Sequence, residues 1–254
     1  MADFLGDPKF PNKAMRTPSR ALKIRYFQDL YRLYSKLDFS WIEDRPIAIA
    51  GLERRLQNAY GTSGGYGVFD DGPDGGLFHR SLLWIRGEFE RSMTPIVFPL
   101  QRNIKVPTWS WMAYKGGIDY EDPPFQKTEW EKNEIRPPWT RGGIGSAETT
   151  LQAPEMALSA IVRDFRVDGR KLDEVRIVYD TERTASDGQR AQCVIIARST
   201  EGLSNHNKKY YVLLVMSTGT AAARGQATYK RVGAGFMLGK YIELKEPGTR
   251  AKIY

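Results

Sequence analysis

The segment Val106–Tyr120 constrains the fold more than any other part of this 254-residue chain. It reads Val-Pro-Thr-Trp-Ser-Trp-Met-Ala-Tyr-Lys-Gly-Gly-Ile-Asp-Tyr and so carries bulky aromatic residues on both sides of a Gly-Gly pair. In an extended chain Trp109, Trp111 and Ala113 share one face, because successive side chains alternate. The two glycines allow the positive φ angles of a tight turn. The segment therefore predicts a Trp-rich β-hairpin with a buried tryptophan face.

Composition is typical of a globular protein from a reducing compartment. The chain is 41% hydrophobic and 27% charged, and its length allows a sizeable core. Its single cysteine, Cys193, cannot form an intramolecular disulfide and lies in an apolar run that indicates a buried strand. We see no signal-peptide core and no apolar run long enough for a bilayer. We therefore expect a cytoplasmic protein without membrane contacts.

Apolar periodicity predicts helices in the first part of the chain. Residues 1–19, with three prolines, predict an extended arm. A helix over residues 20–37, capped by Ser19, is expected to bury a face made of Leu22, Tyr26, Leu30, Leu33 and Leu37. A second helix is expected to follow Asp44, with Pro46 in its first turn, and to end near Tyr60 after burying Ile49, Leu52, Leu56 and Ala59. We expect residues 61–76 to form a glycine-rich loop and residues 77–86 to form a short helix.

The second part of the chain changes to strand patterns. Residues 123–154 are rich in proline and glycine and predict a linker or a long loop. Strand runs follow at residues 157–167, 175–179, 191–198, 209–216, 229–238 and 241–245. We expect an α+β fold: a helical region with the hairpin at residues 20–122, then an antiparallel, sandwich-like or barrel-like region at residues 155–254.

Several segments occur in an order that points to one family. Tyr26–Ser35, Asp44–Leu52 and Leu82–Trp84 precede the Pro-Thr-Trp-Ser-Trp motif of residues 107–111, and Tyr229–Gly235 follows it. Together they resemble the region downstream of the HET domain in fungal heterokaryon-incompatibility (HET) proteins. The resemblance is strongest over residues 20–120. The pattern that opens the HET domain itself does not occur, so the chain is expected to lack that domain, whether as a fragment or as a complete gene product.

The resemblance implies a non-catalytic accessory or regulatory region of a self/non-self recognition and cell-death protein. Its partner would be another protein or the missing N-terminal HET domain, and self-association is a further option. HET domains are similar to TIR domains, and any NAD-cleaving chemistry would reside in the missing part. The structural signature of the family maps onto Trp84, Pro107, Trp109, Ser110, Trp111, Gly117 and Tyr120. We expect Trp109 and Trp111 to be buried alongside Leu83 or Trp84.

Trp130 and Trp139 are the candidate contact residues, because they lie among charges and prolines and tryptophan is enriched at binding hot spots. Alternatively, the tryptophans at positions 84, 109 and 111 serve only as core.

Motifs that suggest catalysis lack their required context. Gly61–Gly65 fits G-x-S-x-G, but a helix is expected before it and a loop after it, the reverse of a nucleophile elbow. Gly239-Lys240 lacks the upstream glycine and the following hydroxyl of a P-loop. The acidic turn at residues 70–75 has the wrong spacing for calcium. With two histidines and one cysteine, a zinc site would need carboxylates. We therefore predict no catalytic residues, no metal and no cofactor, and no hydrolysis of NAD, esters or nucleic acid.

Charge leaves one alternative function open. The net charge is +8, and residues 141–254 carry 18 Lys and Arg against 12 Asp and Glu, whereas residues 61–140 carry 9 against 11. A small basic nucleic-acid-binding protein is therefore the alternative, and an enzyme of unrecognised type is the third. The alternative requires the cations of residues 160–254 to gather on one sheet face.

Overall fold

The computed structural model describes residues 19–72, 76–102, 104–139, 156–167, 173–182, 190–202, 204–221 and 225–254. Over these residues the protein is a mixed α+β fold, as predicted. The α-helices described all lie before residue 100, and most of the strand structure follows residue 128. The arm predicted for residues 1–19 lies outside the described residues, apart from Ser19.

Among the described residues, the N-terminal part contains three α-helices: α1 (Arg20–Ser35), α2 (Arg45–Tyr60) and α3 (Leu77–Leu82). Ser19 and Asp44 occupy the predicted N-cap positions, although neither side chain bonds to the first turn of its helix. α2 ends at Gly61, whose φ of 64° is the left-handed conformation typical of a C-cap. Three of the four residues predicted for its buried face are buried, at positions 49, 52 and 56.

The predicted buried face of α1 is mostly wrong. Leu30 is buried and Tyr26 is partly buried, but Leu22, Leu33 and Leu37 are 51%, 46% and 45% exposed. Besides Leu30, the core receives the residues at positions 24, 27, 31 and 34. The helix carries two apolar stripes, and the aromatic one packs inward because its larger rings bury more area.

Residues 63–70 form a hairpin inside the segment predicted as a glycine-rich loop. β1 (Ser63–Gly65) and β2 (Val68–Asp70) form a hairpin. Its two turn residues, Tyr66 and Gly67, have φ angles of 55° and 81°. Positive φ at both central positions is what a two-residue hairpin turn requires.

The central Trp-rich segment is not the predicted hairpin. Trp111–Ala113 is a 3₁₀ helix, preceded by a turn at Trp109. The strands next to it are β3 (Trp84–Arg86), β4 (Thr94–Pro95), β5 (Tyr114–Lys115) and β6 (Ile118–Tyr120). β5 pairs with β4 and β6 pairs with β3, so the Gly-Gly pair joins two different two-stranded sheets. Each flanking strand finds a partner from earlier in the chain, and the strict alternation of faces is lost.

In the second part of the chain, the described residues form an eight-stranded sheet: β7 (Thr128–Trp130), β8 (Ile135–Arg136), β9 (Leu158–Val162), β10 (Val175–Tyr179), β11 (Gln192–Ser199), β12 (Lys209–Ala221), β13 (Ala227–Leu238) and β14 (Thr249–Ile253). The strand order is β7-β11-β12-β13-β14-β9-β8, and β10 also pairs with β13. The pairing is mostly antiparallel as predicted, but β13 and β14 are parallel, so the sheet is mixed.

Two sequence-based boundaries differ from the structure. β7 and β8 lie inside the segment predicted as a linker and pair with β11 and β9. Residues 140–154 of that segment lie outside the described residues. The last predicted strand, residues 241–245, is wrong: a 3₁₀ helix at Gly239–Tyr241 replaces it, and the final strand is β14.

The core has three parts. The first lies between the inner face of the sheet and residues such as Phe78, Leu83 and Trp109 from the N-terminal part. The second lies within the N-terminal part, around α1, α2 and Trp111. The third covers the outer face of the sheet near Phe165 and Ile242. The N-terminal part therefore forms a layer packed on one face of the sheet.

Candidate protein-interaction surface

Three tryptophans of the signature form the centre of the N-terminal layer. Trp84, Trp109 and Trp111 are fully buried, with Leu83 beside them, as predicted. The Trp84 indole donates to the Trp109 carbonyl oxygen at 2.8 Å. The Trp109 indole donates to the Met156 carbonyl oxygen at 3.0 Å, which joins the layer to the start of β9. Trp109 thus links the N-terminal layer to the sheet, whereas Trp84 and Trp111 pack within that layer.

The other signature residues shape the backbone around these rings. The Ser110 hydroxyl donates to the Tyr66 carbonyl oxygen at 2.7 Å and accepts from the Met112 amide at 3.1 Å. Pro107 is buried, and its carbonyl accepts from the Ser110 amide. The Gly117 amide donates to the Glu90 carboxylate at 3.0 Å.

The last signature residue packs against helix α1. The Tyr120 ring lies edge-on to Phe27, with centroids 5.9 Å apart. Each signature position is thus explained by packing or by a backbone hydrogen bond.

Buried arginines lie against three tryptophans, a feature that sequence reasoning missed. The Arg231 guanidinium lies 3.2 Å from the centre of the Trp84 ring and pairs with the Asp180 carboxylate at 3.0 Å. It also donates to the carbonyls of Leu82 and Trp84, so β13 is bound to the N-terminal layer. A long-range contact of this kind has no local sequence pattern, so no signal in the chain could have identified it.

The other two buried arginines differ in their partners, because Arg80 pairs with the Asp122 carboxylate at 2.5 Å whereas Arg45 relies on backbone carbonyls. Arg45 lies 5.7 Å from the centre of the Trp111 ring and donates to the carbonyls of Ser35 and Tyr114. Burial lowers its pKa to about 10. Arg80 lies 5.0 Å from the centre of the Trp130 ring.

Trp130 and Trp139 are both partly buried and pack against the core between the layers. Trp130 stacks on His79 with ring centroids 5.5 Å apart. Trp139 lies edge-on to Trp109 at 6.2 Å. The structure does not bring the two together as one exposed patch, and their predicted role in protein contact stays a prediction.

Large apolar side chains are exposed at nine described positions, and all nine lie in residues 22–125: Leu22, Leu33, Leu37, Trp41, Ile47, Phe89, Val97, Leu100 and Phe125. Two of them lie on α1 and a third just beyond its end. Positions 22, 26, 33 and 37 are separated by four, seven and four residues and therefore follow one side of the helix. We call Leu22, Tyr26, Leu33 and Leu37 the leucine stripe; its three leucines are exposed, whereas Tyr26 is partly buried against the core of the N-terminal part.

The charges beside the leucine stripe are mostly positive. Arg25 and Lys36 lie on the exposed side of this segment, where the described residues provide neither with an ion pair. Arg32, by contrast, pairs with Asp29 and Asp119. The stripe is thus an apolar strip beside cations on a regular helix. Its signal in the sequence is the second apolar period of α1, the one predicted to face the core.

A buried carboxylate lies beneath the β1–β2 turn. Glu53 on α2 accepts a hydrogen bond from the Gly67 amide at 2.5 Å, and no cation pairs with it among the described residues. Burial raises the pKa of Glu53 to about 7, although hydrogen bonds from the backbone of Gly67 and Tyr66 oppose the shift. Sequence reasoning missed this residue because it occupies an ordinary position in an amphipathic helix.

The motifs that suggest catalysis occupy structural positions. Ser63 of the G-x-S-x-G match lies in the β1–β2 hairpin. His79 is buried, its Nε2 lies 3.2 Å from the Glu131 carbonyl oxygen, and burial lowers its pKa to about 4. Lys240 pairs with Glu174 at 2.8 Å. Cys193 is buried, which raises the pKa of its thiol to about 12.

The acidic turn likewise serves its own backbone. Asp70 accepts from the Gly72 amide and Asp71 from the Leu77 amide, each at 2.9 Å. Within the described ranges, no group of three or more His, Cys, Asp or Glu side chains could hold a metal ion. No described helix is both long and apolar enough to cross a membrane.

Comparison with known proteins does not assign the chain to a family. No protein-family model matches the chain, and no match was found among curated proteins or solved structures. The surface described above therefore carries the functional argument.

Proposed function

We propose that the chain is a non-catalytic protein-interaction module of the cytoplasm, the accessory region of a HET-type fungal recognition protein. In this proposal the helix-bearing layer, residues 20–122, is the accessory region, and the strand-rich residues 155–254 support it. The leucine stripe along α1 binds the partner. The observation that carries the proposal is that three leucines at helical spacing remain about half exposed on a well-packed helix and its C-terminal extension.

Exposed leucines in this arrangement suit burial by a partner. Burying apolar surface contributes roughly 25 cal/mol per Å² removed from water, and protein interfaces have apolar centres with polar rims. The leucine stripe provides such a centre, and Arg25 and Lys36 provide the rim. All nine exposed large apolar side chains of the described residues lie before the strand-rich part of the chain.

Charge favours a different protein over a second copy. A symmetric dimer through α1 would bring the same patch of each copy together, so Arg25 and Lys36 would face like charges. Like charges placed opposite one another disfavour an interface. The fitting occupant is an apolar surface with acidic side chains at its rim, and by the family resemblance we assign it to a HET-type N-terminal domain.

The test is a titration of the purified chain with a purified HET-type N-terminal domain, monitored by isothermal calorimetry. We expect the triple variant Leu22→Gln, Leu33→Gln, Leu37→Gln to weaken binding by about tenfold or more, since each residue loses buried apolar area. The matched control is Val97→Gln with Leu100→Gln, which changes equally apolar residues that are 88% and 93% exposed but lie outside the stripe.

Equal binding by the stripe variant and the native chain would contradict the proposal, as would a dimer of the native chain that the stripe variant abolishes. The proposal that the chain has no catalytic activity is tested separately. NAD turnover by the purified chain that disappears when the Glu53 carboxylate alone is replaced would overturn it.

A further inference from the structure

The outer face of the large sheet carries a row of cations and hydroxyls. Arg136 on β8 lies opposite Ser159 on β9, and Ser159 lies opposite Lys252 on β14. Lys252 is in register with Thr228 on β13. Residues directly opposite each other in a sheet point to the same side. These four side chains therefore form one row across four strands.

Two more cations flank this row on the same face. Lys230 is two residues from Thr228 on β13, and Arg250 is two residues from Lys252 on β14. Because side chains along a strand alternate with a period of two, both project to the side of the row. We call Arg136, Lys230, Arg250 and Lys252 the basic face.

The other side of the same strands is the core, which fixes the direction of the basic face. The neighbours Ile135, Ala160, Tyr229, Ala251 and Ile253 are all buried between the sheet and the N-terminal layer. The basic face therefore points away from that layer. Arg136, Lys230 and Arg250 are exposed, and Lys252 is partly exposed.

The basic face is not neutralised by neighbouring carboxylates. Within the described ranges none of its four cations forms an ion pair, and the Lys252 ammonium instead donates to the Ser159 hydroxyl at 3.0 Å. Elsewhere on the sheet, Arg163, Arg176 and Arg198 each pair with a glutamate. The cations of β8, β13 and β14 that form no ion pair among the described residues therefore all lie on the basic face.

A cluster of hydroxyls extends the row. Thr218 on β12 shares a hydrogen bond with Thr228, and Thr220 lies 2.6 Å from the same Thr228 hydroxyl. Thr218 and Thr220 are exposed, whereas Thr228, which both contact, is itself buried. With neighbouring strands about 4.8 Å apart, the row from β8 to β12 spans roughly 19 Å.

We propose that the basic face binds the phosphate backbone of double-stranded nucleic acid. Lysine, arginine and hydroxyl side chains are the groups that contact phosphates without reading base sequence. A row of roughly 19 Å matches about five to six phosphates along one strand of a duplex, at 3.4 Å of axis per phosphate. This binding is independent of the leucine stripe, which lies on the N-terminal layer.

The side chains on this face favour a duplex over a single strand or a membrane. Single strands are held by aromatic rings on which bases stack. On this part of β8, β9, β13 and β14, the side chains that point away from the core are the four cations together with Ser159, Thr228 and Ile161. None of them is aromatic. Surface membrane binding also needs a substantial apolar face, and one isoleucine does not provide it.

The test measures fluorescence anisotropy of a labelled 20-base-pair DNA duplex of mixed sequence across a salt series. For four phosphate contacts, the slope of log K against log salt should be roughly −3.6. The triple variant Lys230→Gln, Arg250→Gln, Lys252→Gln should keep one contact, so its slope should fall to about −0.9 and its affinity at low salt should drop by about tenfold or more.

A matched control separates the basic face from net charge. Arg91→Gln, Lys105→Gln, Lys115→Gln also removes three exposed cations, but from the N-terminal layer. We expect it to keep the native slope and affinity. An equal loss in both triple variants would overturn the proposal, as would no duplex binding, or tighter binding to vesicles of anionic lipid than to the duplex. A leucine-stripe variant that still binds the duplex would show that the two surfaces act separately.

Discussion

In the N-terminal layer, large apolar side chains occur on both the inner and the outer surface, whereas the sheet buries its apolar residues and exposes cations. α1 alone presents Phe27 and Tyr31 to the core and Leu22 and Leu33 to solvent. On the sheet, Tyr229 faces the core and its neighbour Lys230 faces solvent. The leucine stripe is apolar and the basic face is positively charged, so they suit different partners. The two layers should therefore be tested as separate binding units.

Buried charges differ in how they are neutralised, and α2 holds two that lack an ion pair within the described ranges, although Arg80 of the same layer pairs with a carboxylate. Arg231 and Asp180, from the sheet and the segment after β10, neutralise each other at 3.0 Å. Arg45 and Glu53, both on α2, are buried without an ion pair among the described residues and are held by backbone groups. An unpaired buried charge is stabilised less than a paired one. The N-terminal layer should therefore respond more strongly to pH.

The largest expected effect compares two tryptophans of the N-terminal layer. Trp111→Ala should lower the free energy of unfolding by about 3–5 kcal/mol, because it removes a fully buried ring and leaves a cavity. Trp41→Ala should cost less than about 1 kcal/mol, since Trp41 is 65% exposed. Urea unfolding monitored by circular dichroism measures both. A loss below about 1 kcal/mol for Trp111→Ala would mean that the ring is exposed in solution.

The next effect is a pH dependence that originates at Glu53. Its pKa is raised to about 7 by burial, so the folded state holds the proton more tightly than the unfolded state. The stabilisation is complete below the ordinary pKa of about 4.3 and is lost as pH rises through about 7, a change of roughly 3 kcal/mol. Tyr31 and Tyr66 are the titratable neighbours, and burial raises the pKa of both, so they stay neutral in this range.

His79 acts in the opposite direction, because burial lowers its pKa to about 4 and folding therefore disfavours its charged form. The readout is thus the difference between the native chain and Glu53→Gln, measured by urea unfolding from pH 4 to pH 8. We expect the native chain to lose stability relative to Glu53→Gln as pH rises. A difference that is constant across this range would show that Glu53 titrates normally.

The sheet could be predicted from the sequence better than the N-terminal layer, for a physical reason. Residues 192–199 and 209–216, for example, are apolar runs bounded by clear turn signals. Such a run can be predicted as a strand without knowing which strand it pairs with. In the N-terminal layer the choice between competing faces depends on distant residues. Trp111 contacts Tyr31 and Tyr120 contacts Phe27 on the aromatic stripe of α1, and β6 pairs with β3 and not with β5.

The candidate surfaces also differ in how far the sequence predicts them. The signature tryptophans at positions 84, 109 and 111 form core, as predicted. The leucine stripe is visible in the sequence as an apolar period, but the period does not say which side of α1 faces solvent. The basic face depends on the parallel register of Thr228 with Lys252, and strand patterns do not encode which strands become neighbours. Composition alone reveals the excess of cations without placing them.

The smallest effect compares a glycine from each layer. Gly235 lies on β13 where β10 approaches closely, and a Cβ there would meet the Arg176 carbonyl and lie 3.1 Å from the Ile177 Cα. Because backbone atoms cannot move aside easily, Gly235→Ala should cost about 1–3 kcal/mol. Gly51 lies in the middle of α2 with open space where a Cβ would project, so Gly51→Ala should add about 0.5–1 kcal/mol through helix propensity. Thermal unfolding measures both variants, and we expect a lower melting temperature for Gly235→Ala and a higher one for Gly51→Ala. If Gly235→Ala proved neutral, β10 would not pack on β13 at this distance, and the sheet would lose the strand that carries Asp180 towards Arg231.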